Sequence, residues 1–293
     1  MSDTPLLLDG TATAKTIRDE VAHRVSALKK EGVTPGLAAV LAGDDPASVT
    51  YVRMKRRACD KAGIASFARE FGSDAAQEDI LQAVYELNAD PNVHGILVQH
   101  PLPKGLDEYA VLAAVDPNKD VDGIGRGSLG DLVKGEAQFV ACTPAGMVEL
   151  LDRYNIPIEG KHAVVVGRSV ILGKPMALLL LNRNATVTVC HSKTKNLADI
   201  TRQADILVAA VGRPEMITGD MIKPGAVVLD AGYNRVVGRD KDVGDCDFAS
   251  CSRFASAITP VPGGVGPMTI AMLLSNTVTA AERSFGVGKK ATS

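Results

Sequence analysis

Tyr51 and Lys55 stand four residues apart in a helical pattern, so their side chains share one face of a helix. On a solvated face such a lysine simply carries its amine out to water along the neighbouring ring. Two features argue for chemistry instead. The helix starts directly behind an apolar strand, and another strand of the same region ends at Gln99. A lysine partly desolvated between a tyrosine ring and a carboxamide has a lowered pKa and can accept a proton. Asp120 and Asp122 follow in the turn-rich stretch Asp116-Pro117-Asn118-Lys119-Asp120-Val121-Asp122-Gly123. An aspartate beside glycine commonly serves as a turn or cap carboxylate. At a cleft, the same acceptor-only group suits a heterocycle presenting adjacent N–H groups.

A second set of residues suits an anion. The run Ala163-Val164-Val165-Val166 ends in Gly167-Arg168-Ser169, and Gly173-Lys174-Pro175 then opens the apolar segment Met176 to Leu181. Pro175 fits the first helical position. The helix amino end, with unpaired N–H groups and its dipole, is then expected to face a phosphate. The two glycines are not arranged as GxGxxG, so the turn by itself also reads as an ordinary connection. The next strand, Thr186 to Cys190, stops at His191-Ser192-Lys193-Thr194-Lys195. NAD-specific folds place an acid there for the ribose hydroxyl. This chain has hydroxyls and cations in its place, which fit a ribose 2′-phosphate, so the cofactor expected is NADP. Near the carboxyl end, Gly263, Gly264 and Gly266 alternate with Pro260, Pro262 and Pro267, which favours a rigid loop whose backbone comes close to a ligand.

These residues need strands and helices to place them, and the sequence supplies both alternately. Helical periodicity from Thr11 to Lys30 is followed by a buried strand at Leu37 to Leu41. Asp45 and Pro46 form a cap and first turn for a helix that Gly63 ends. A strand at Ala65 to Phe71, a helix at Asp74 to Asn88 and a strand at Val93 to Gln99 complete this half. The second half opens with a helix at Cys142-Thr143-Pro144. Strands then follow at His162 to Val166, Thr186 to Cys190, Asp205 to Ala210, Ala226 to Asp230 and Ala257 to Thr259, and a helix from Met268 to Phe285. Alternation of this kind implies parallel sheets. A chain of 293 residues with 46% apolar content accommodates two α/β lobes. The expected division is residues 1–123 and residues 124–293, with the final helix free to pack back on the first lobe.

Several function classes are excluded. A net charge of −2 gives no general attraction to nucleic acid or to an anionic membrane. No segment approaches membrane-spanning length and Met1 to Gly10 has no secretory leader pattern. The five cysteines lack CxxC spacing and read as reduced, mostly buried thiols of a cytoplasmic protein. His100, His162 and His191 have no metal spacing, and no GxSxG elbow supports a serine hydrolase. The residues by themselves leave open an NADP-linked dehydrogenase of some other small metabolite, or a nicotinamide-binding sensor without catalysis.

Six stretches, in one order, resemble a known family: Asp44 to Ser48 with Tyr51 and Lys55, Gly95 to Gln99 with Pro101-Leu102-Pro103, Lys119 to Gly123, Gly167 to Ser169, Thr188 to Thr194, and Thr259 to Thr269. The family is that of the bifunctional methylenetetrahydrofolate dehydrogenases/methenyltetrahydrofolate cyclohydrolases, and the likeness runs from about Leu6 to the last helix. It implies two α/β lobes with parallel or mostly parallel sheets, the second a Rossmann-like NADP-binding domain, with the active site in the cleft between them. It also implies a homodimer acting on tetrahydrofolate derivatives. By this resemblance Lys55 is the catalytic lysine, Tyr51 stacks on the folate rings, Gln99 hydrogen-bonds Lys55 and Asp122 holds the pterin. Val98, His100 and the loop Pro262, Gly263, Gly264, Val265 and Gly266 line the substrate site, while Gly167, Arg168, Ser169, Ser192 and Tyr233 match cofactor positions. The chain departs from the family at His100, where leucine is usual, and at Tyr233, where isoleucine is common.

Overall fold

The computed structural model describes residues 4–286. The chain begins with β1 (Leu6–Leu7) and α1 (Gly10–Lys30), then alternates β2 (Gly36–Ala42), α2 (Pro46–Ala62), β3 (Ala65–Phe71), α3 (Gln77–Ala89) and β4 (Gly95–Val98). Three helices follow without a strand: α4 (Glu108–Ala114), α5 (Arg126–Lys134) and α6 (Cys142–Arg153). Alternation resumes with β5 (His162–Val166), α7 (Gly173–Asn182), β6 (Thr186–Cys190), α8 (Leu197–Thr201) and β7 (Ile206–Ala209). The remainder is β8 (Val227–Asp230), α9 (Phe248–Cys251), β9 (Ala257–Ile258) and α10 (Val265–Ser284).

Contacts divide the chain into two compact units. A three-stranded unit holds residues 16–140 and the segment from Ile270 onward, with strand order β3-β2-β4, all parallel. Every residue of β2 is buried, as expected for the middle strand of a covered parallel sheet. One face, with Ala38, Val40, Ile96 and Val98, packs on Ile80, Val84 and Leu87 of α3 and Val111 of α4. The Asp45 carboxylate accepts from Ser48 N (2.8 Å), Pro46 opens α2 and Gly63 closes it at φ 77°. Arg24 of α1 grips α10 through Glu282 (2.6 and 2.9 Å), Thr279 Oγ1 (2.8 Å) and Ser275 Oγ (3.2 Å).

The contact division differs from the expected break at residues 123 and 124. Asp120 is buried and accepts from Gly125 N (2.9 Å), Gly123 N (3.2 Å) and the Ser128 hydroxyl (2.5 Å), so it fastens α5 to the segment before it. A stretch tied in this way is not a linker. Residues 1–3 and 287–293, which the expected lobes included, lie outside the described residues.

The six-stranded unit holds the segment through Lys15 and residues 141–269, with strand order β1-β9-β8-β7-β5-β6, again all parallel. Alternate residues face opposite ways. Ala163, Val165, Ile206, Val208 and Leu229 enter one core with Met147, Leu151, Met176 and Leu180, while Val164, Val166, Leu207, Ala209 and Val228 enter another with Ile217 and Ile222. Register pairs Val166 with both Cys190 and Ala209, and Ala209 with Asp230, so the connections after β5, β6, β7 and β8 emerge at one edge. Among the described residues no helix is long and apolar enough to cross a membrane.

Candidate active site

In the three-stranded unit, α2 brings Tyr51 and Lys55 along one face, with the Tyr51 ring 40% exposed and Lys55 half-buried. The Lys55 Nζ donates to Gln99 Oε1 at 3.0 Å. Gln99 is the first residue beyond β4, and its main-chain N–H bonds Val40 O (2.8 Å). Its Nε2 donates to the His100 carbonyl (2.8 Å), which leaves the carboxamide oxygen turned to the amine. The amine is therefore held by a neutral acceptor that is itself fixed from two sides. His100 is half-buried and its bond to Pro101 is cis. Val98 is only 2% exposed and its side chain belongs to the core, so any part it has in lining a site is through its main chain.

The loop before α5 separates its own residues into roles. Lys119 donates to Leu87 O (3.2 Å), Asn88 O (2.8 Å) and Asp90 O (2.8 Å), closing the carboxyl end of α3. Asp120 is the structural carboxylate already described, and burial raises its pKa. Asp122, two residues beyond Asp120, is half-buried.

In the six-stranded unit, Gly167 follows β5 at φ 144°, and a Cβ there would lie 2.3 Å from Ala210 O. Arg168, Ser169 and Ser192 are exposed, as is Tyr233 in the loop after β8. The start of α7 differs from expectation. The helix begins at Gly173, and the amides meant for a phosphate are occupied: Gly173 N donates to Ser169 Oγ (3.3 Å), Lys174 N to Ser169 O (3.0 Å) and Met176 N to Leu172 O (2.8 Å). Pro175 has no N–H. The first amides of α7 are thus engaged within the chain.

The glycine-rich loop is shorter than expected, because α10 already begins at Val265. Pro267 is its third residue and needs no partner there. Val265 is 4% exposed and packs with Leu8, Met147 and Met176, so its side chain is core rather than lining. Gly263, at φ 106°, offers its carbonyl to Thr11 N (2.9 Å) and Thr11 Oγ1 (3.3 Å). A Cβ on Gly10 would fall 1.7 Å from Gly264 O, so the first turn of α1 braces this loop by direct backbone packing. Pro262 and Gly266 are exposed, and the Val261–Pro262 bond is cis.

The tetrahydrofolate dehydrogenase/cyclohydrolase family matches the chain with its catalytic domain over residues 8–122 and its NAD(P)-binding domain over residues 141–285. The chain belongs to this family. It is 54% identical over 280 residues to the bifunctional protein FolD of Shouchella clausii, covering 96% of this chain and 99% of the relative. The FolD crystal structure from Campylobacter jejuni superposes with a TM-score of 0.93 at 47% identity, covering 95% and 99%. That of Trypanosoma brucei FolD, complexed with NADP cofactor and inhibitor, gives 0.93 at 41% identity, covering 96% and 99%.

The family's dinucleotide fits the donor set of the six-stranded unit. The side chains around the ends of β5 and β6 are a guanidinium, hydroxyls and ammonium groups (Arg168, Ser169, Ser192, Lys193 and Lys195), and residues 186–195 contain no carboxylate. Sequence reasoning missed two buried carboxylates at the same edge of the sheet, Asp230 and Asp245, and the bracing role of Gly10 and Thr11. Asp230 only closes an expected strand, and Asp245 lies in no motif or periodic pattern. Only the closure of the loops around them gives them meaning.

Proposed function

We propose that this chain oxidises 5,10-methylenetetrahydrofolate to 5,10-methenyltetrahydrofolate with NADP and hydrolyses that product to 10-formyltetrahydrofolate. The observation that carries the reading is the Lys55–Gln99 bond of 3.0 Å at the end of a buried parallel strand, in a chain of this family. NADP, when bound, supplies the hydride acceptor for the first step. Alignment is what that step asks of the protein. Tyr51 stacks on the folate rings, Asp122 accepts from pterin N–H groups, and His100 with the Pro262 to Gly266 backbone shapes the substrate site.

The second step needs proton transfer. Water adds to the methenyl carbon, a C–O bond forms, and the water proton passes to the Lys55 amine. Gln99 orients that amine through its carboxamide oxygen. One of the two C–N bonds of the adduct then breaks as its hydroxyl gives up its proton and becomes the formyl oxygen, the departing nitrogen takes a proton, and the formyl group stays on the other nitrogen. Arg168 and Ser192 recognise the 2′-phosphate, Gly167 and Ser169 shape the turn beneath it, and Tyr233 lies against the cofactor. In the same reading the enzyme is a cytoplasmic homodimer that uses neither nucleic acid nor membrane. The five buried cysteines, with no CxxC spacing, favour that compartment, and the exposed Leu181 and Val189 beside the open β6 edge offer apolar surface for a second copy.

Absorbance of the methenyl compound in purified protein given methylenetetrahydrofolate and NADP tests the proposal. The expected trace rises with NADP reduction and then decays. NADP binding without turnover, or reduction with no methenyl phase, overturns it.

A further inference from the structure

Three consecutive amides at the end of β7 converge on one side chain. Val211 N and Gly212 N donate to Asp245 Oδ2 at 2.6 and 2.9 Å, and Arg213 N donates to Oδ1 at 3.0 Å. Successive N–H groups that point to one spot form an anion-binding concavity. Here the chain's own carboxylate fills it. Asp245 is fully buried and also accepts from Asn234 Nδ2 at 2.9 Å, in the loop after β8. That loop comes so close that a Cβ on Gly232 would lie 2.4 Å from Asp245 Oδ1. The Asp245 main chain is anchored in turn, its N–H on Asp230 Oδ1 (2.9 Å) and its carbonyl on Ile217 N (2.9 Å).

The strand order says which part of a dinucleotide these loops face. The sheet runs β6-β5-β7-β8, so the winding reverses between β5 and β7. A dinucleotide spans such a reversal, one mononucleotide on each side. The ribose that carries the 2′-phosphate belongs at the end of β6, which puts the adenosine half over β5 and β6. The nicotinamide half then lies over β7 and β8, on the loops that Asp245 joins.

We propose that Asp245 is a positioning residue for the nicotinamide half of the cofactor: one buried carboxylate clamps the Val211–Arg213 and Gly232–Asn234 loops into the surface on which that half rests. The inference rests on the NADP-dependent reaction proposed above. It separates Asp245 from a residue that only stabilises the fold, because its effect is confined to one half of one ligand.

The test measures binding of NADP and of adenosine 2′,5′-bisphosphate, which represents the adenosine half alone, to full-length wild type and Asp245→Asn by calorimetry. The amide turns an N–H toward the loop amides where an acceptor stood. NADP affinity is expected to fall by about tenfold or more, since hydrogen bonds to a charged acceptor are lost. Affinity for the bisphosphate is expected to be unchanged. Equal loss of both ligands, or unchanged NADP affinity, overturns the inference. If Asp245→Asn does not fold, Asn234→Ala, which removes a single donor to the same carboxylate, is expected to weaken NADP severalfold with the bisphosphate unaffected. Parallel loss or no loss in that variant is equally fatal. Failure of the parent reading is distinguishable, because wild type would then show no NADP reduction with methylenetetrahydrofolate.

Discussion

In the three-stranded unit one candidate side chain is held by another: Lys55 by Gln99, with Gln99 fixed by Val40 and His100. In the six-stranded unit two groups of backbone donors at the strand ends are engaged inside the chain. Ser169 and Leu172 accept the amides at the start of α7, and Asp245 fills the amide concavity after β7. Arg168 and Ser192, the residues proposed above to meet the cofactor's charge, are exposed beside these turns. The difference separates two kinds of sensitivity. Replacing a side chain in the first unit should remove a chemical step, whereas in the second it should weaken binding, unless the change strikes the backbone frame.

The largest expected effect breaks the comparison on the catalytic side. Hydride transfer releases no proton to Lys55, whereas attack of water does. Lys55→Met should therefore lower cyclohydrolase activity by about 10²- to 10⁴-fold, with some dehydrogenase activity surviving and methenyl product accumulating. Both rates and the melting temperature, measured on one preparation, decide the matter. A parallel fall of all three would mark Lys55 as structural. Next comes the frame of the nucleotide side. Gly167→Ala sets a Cβ 2.3 Å from a carbonyl oxygen at a left-handed φ. A cost of about 1 to 3 kcal/mol is expected, seen as a lower melting temperature and weaker NADP binding, with folate affinity intact. Unchanged calorimetry for NADP would show that the turn can relax.

How far these sites were legible follows from where their signals lie. Helix α2 was readable end to end, because Asp45-Pro46 starts it and Gly63 stops it within the local sequence. Strand β1 was not, being two exposed residues whose partner, Ala257-Ile258 of β9, lies at the far end of the chain. Helix α5 was missed because Gly127 and Gly130 interrupt it and its anchor, Asp120, stands outside it. The Lys55–Gln99 pair could be inferred from helical spacing and a strand end. Val265 misled, since a valine between glycines reads as loop, yet it opens α10 and enters the core. Asp245 was invisible because its partners are loop amides, which carry no residue-type signature.

A smaller effect sharpens the side-chain half of the comparison. Arg168→Ala removes a guanidinium suited to a phosphate, a contact of about 1.5 to 3 kcal/mol, so NADP should weaken by roughly tenfold or more with NAD barely changed. Equal loss for both cofactors would assign Arg168 elsewhere. The smallest concerns pH. Burial pushes the Asp230 carboxyl up to about 6 from its ordinary 3.8, outweighing the N–H groups of Cys246, Asp245 and Gly232 that it accepts. A carboxyl raised by folding contributes stability that is full below about pH 4 and lost as pH passes about 6, a difference of about 3 kcal/mol. Asp230→Asn presents an amide to those same donors and should melt lower throughout. Its deficit against wild type should narrow between about pH 4 and 7 in scanning calorimetry. A constant deficit would show that Asp230 does not titrate in that range.

The five cysteines add a different kind of information. All are buried, and burial pushes the Cys59 thiol up to about 12 and the Cys190 thiol above its ordinary value. Burial keeps an alkylating reagent from all five while their surroundings stay closed. Cys59 lies in the three-stranded unit, and Cys142, Cys190, Cys246 and Cys251 lie in the other. Each unit thus carries its own built-in clock for local opening. Labelling rates resolved cysteine by cysteine convert the unaltered protein into two separate reporters of native-state breathing, with no dye or engineered probe.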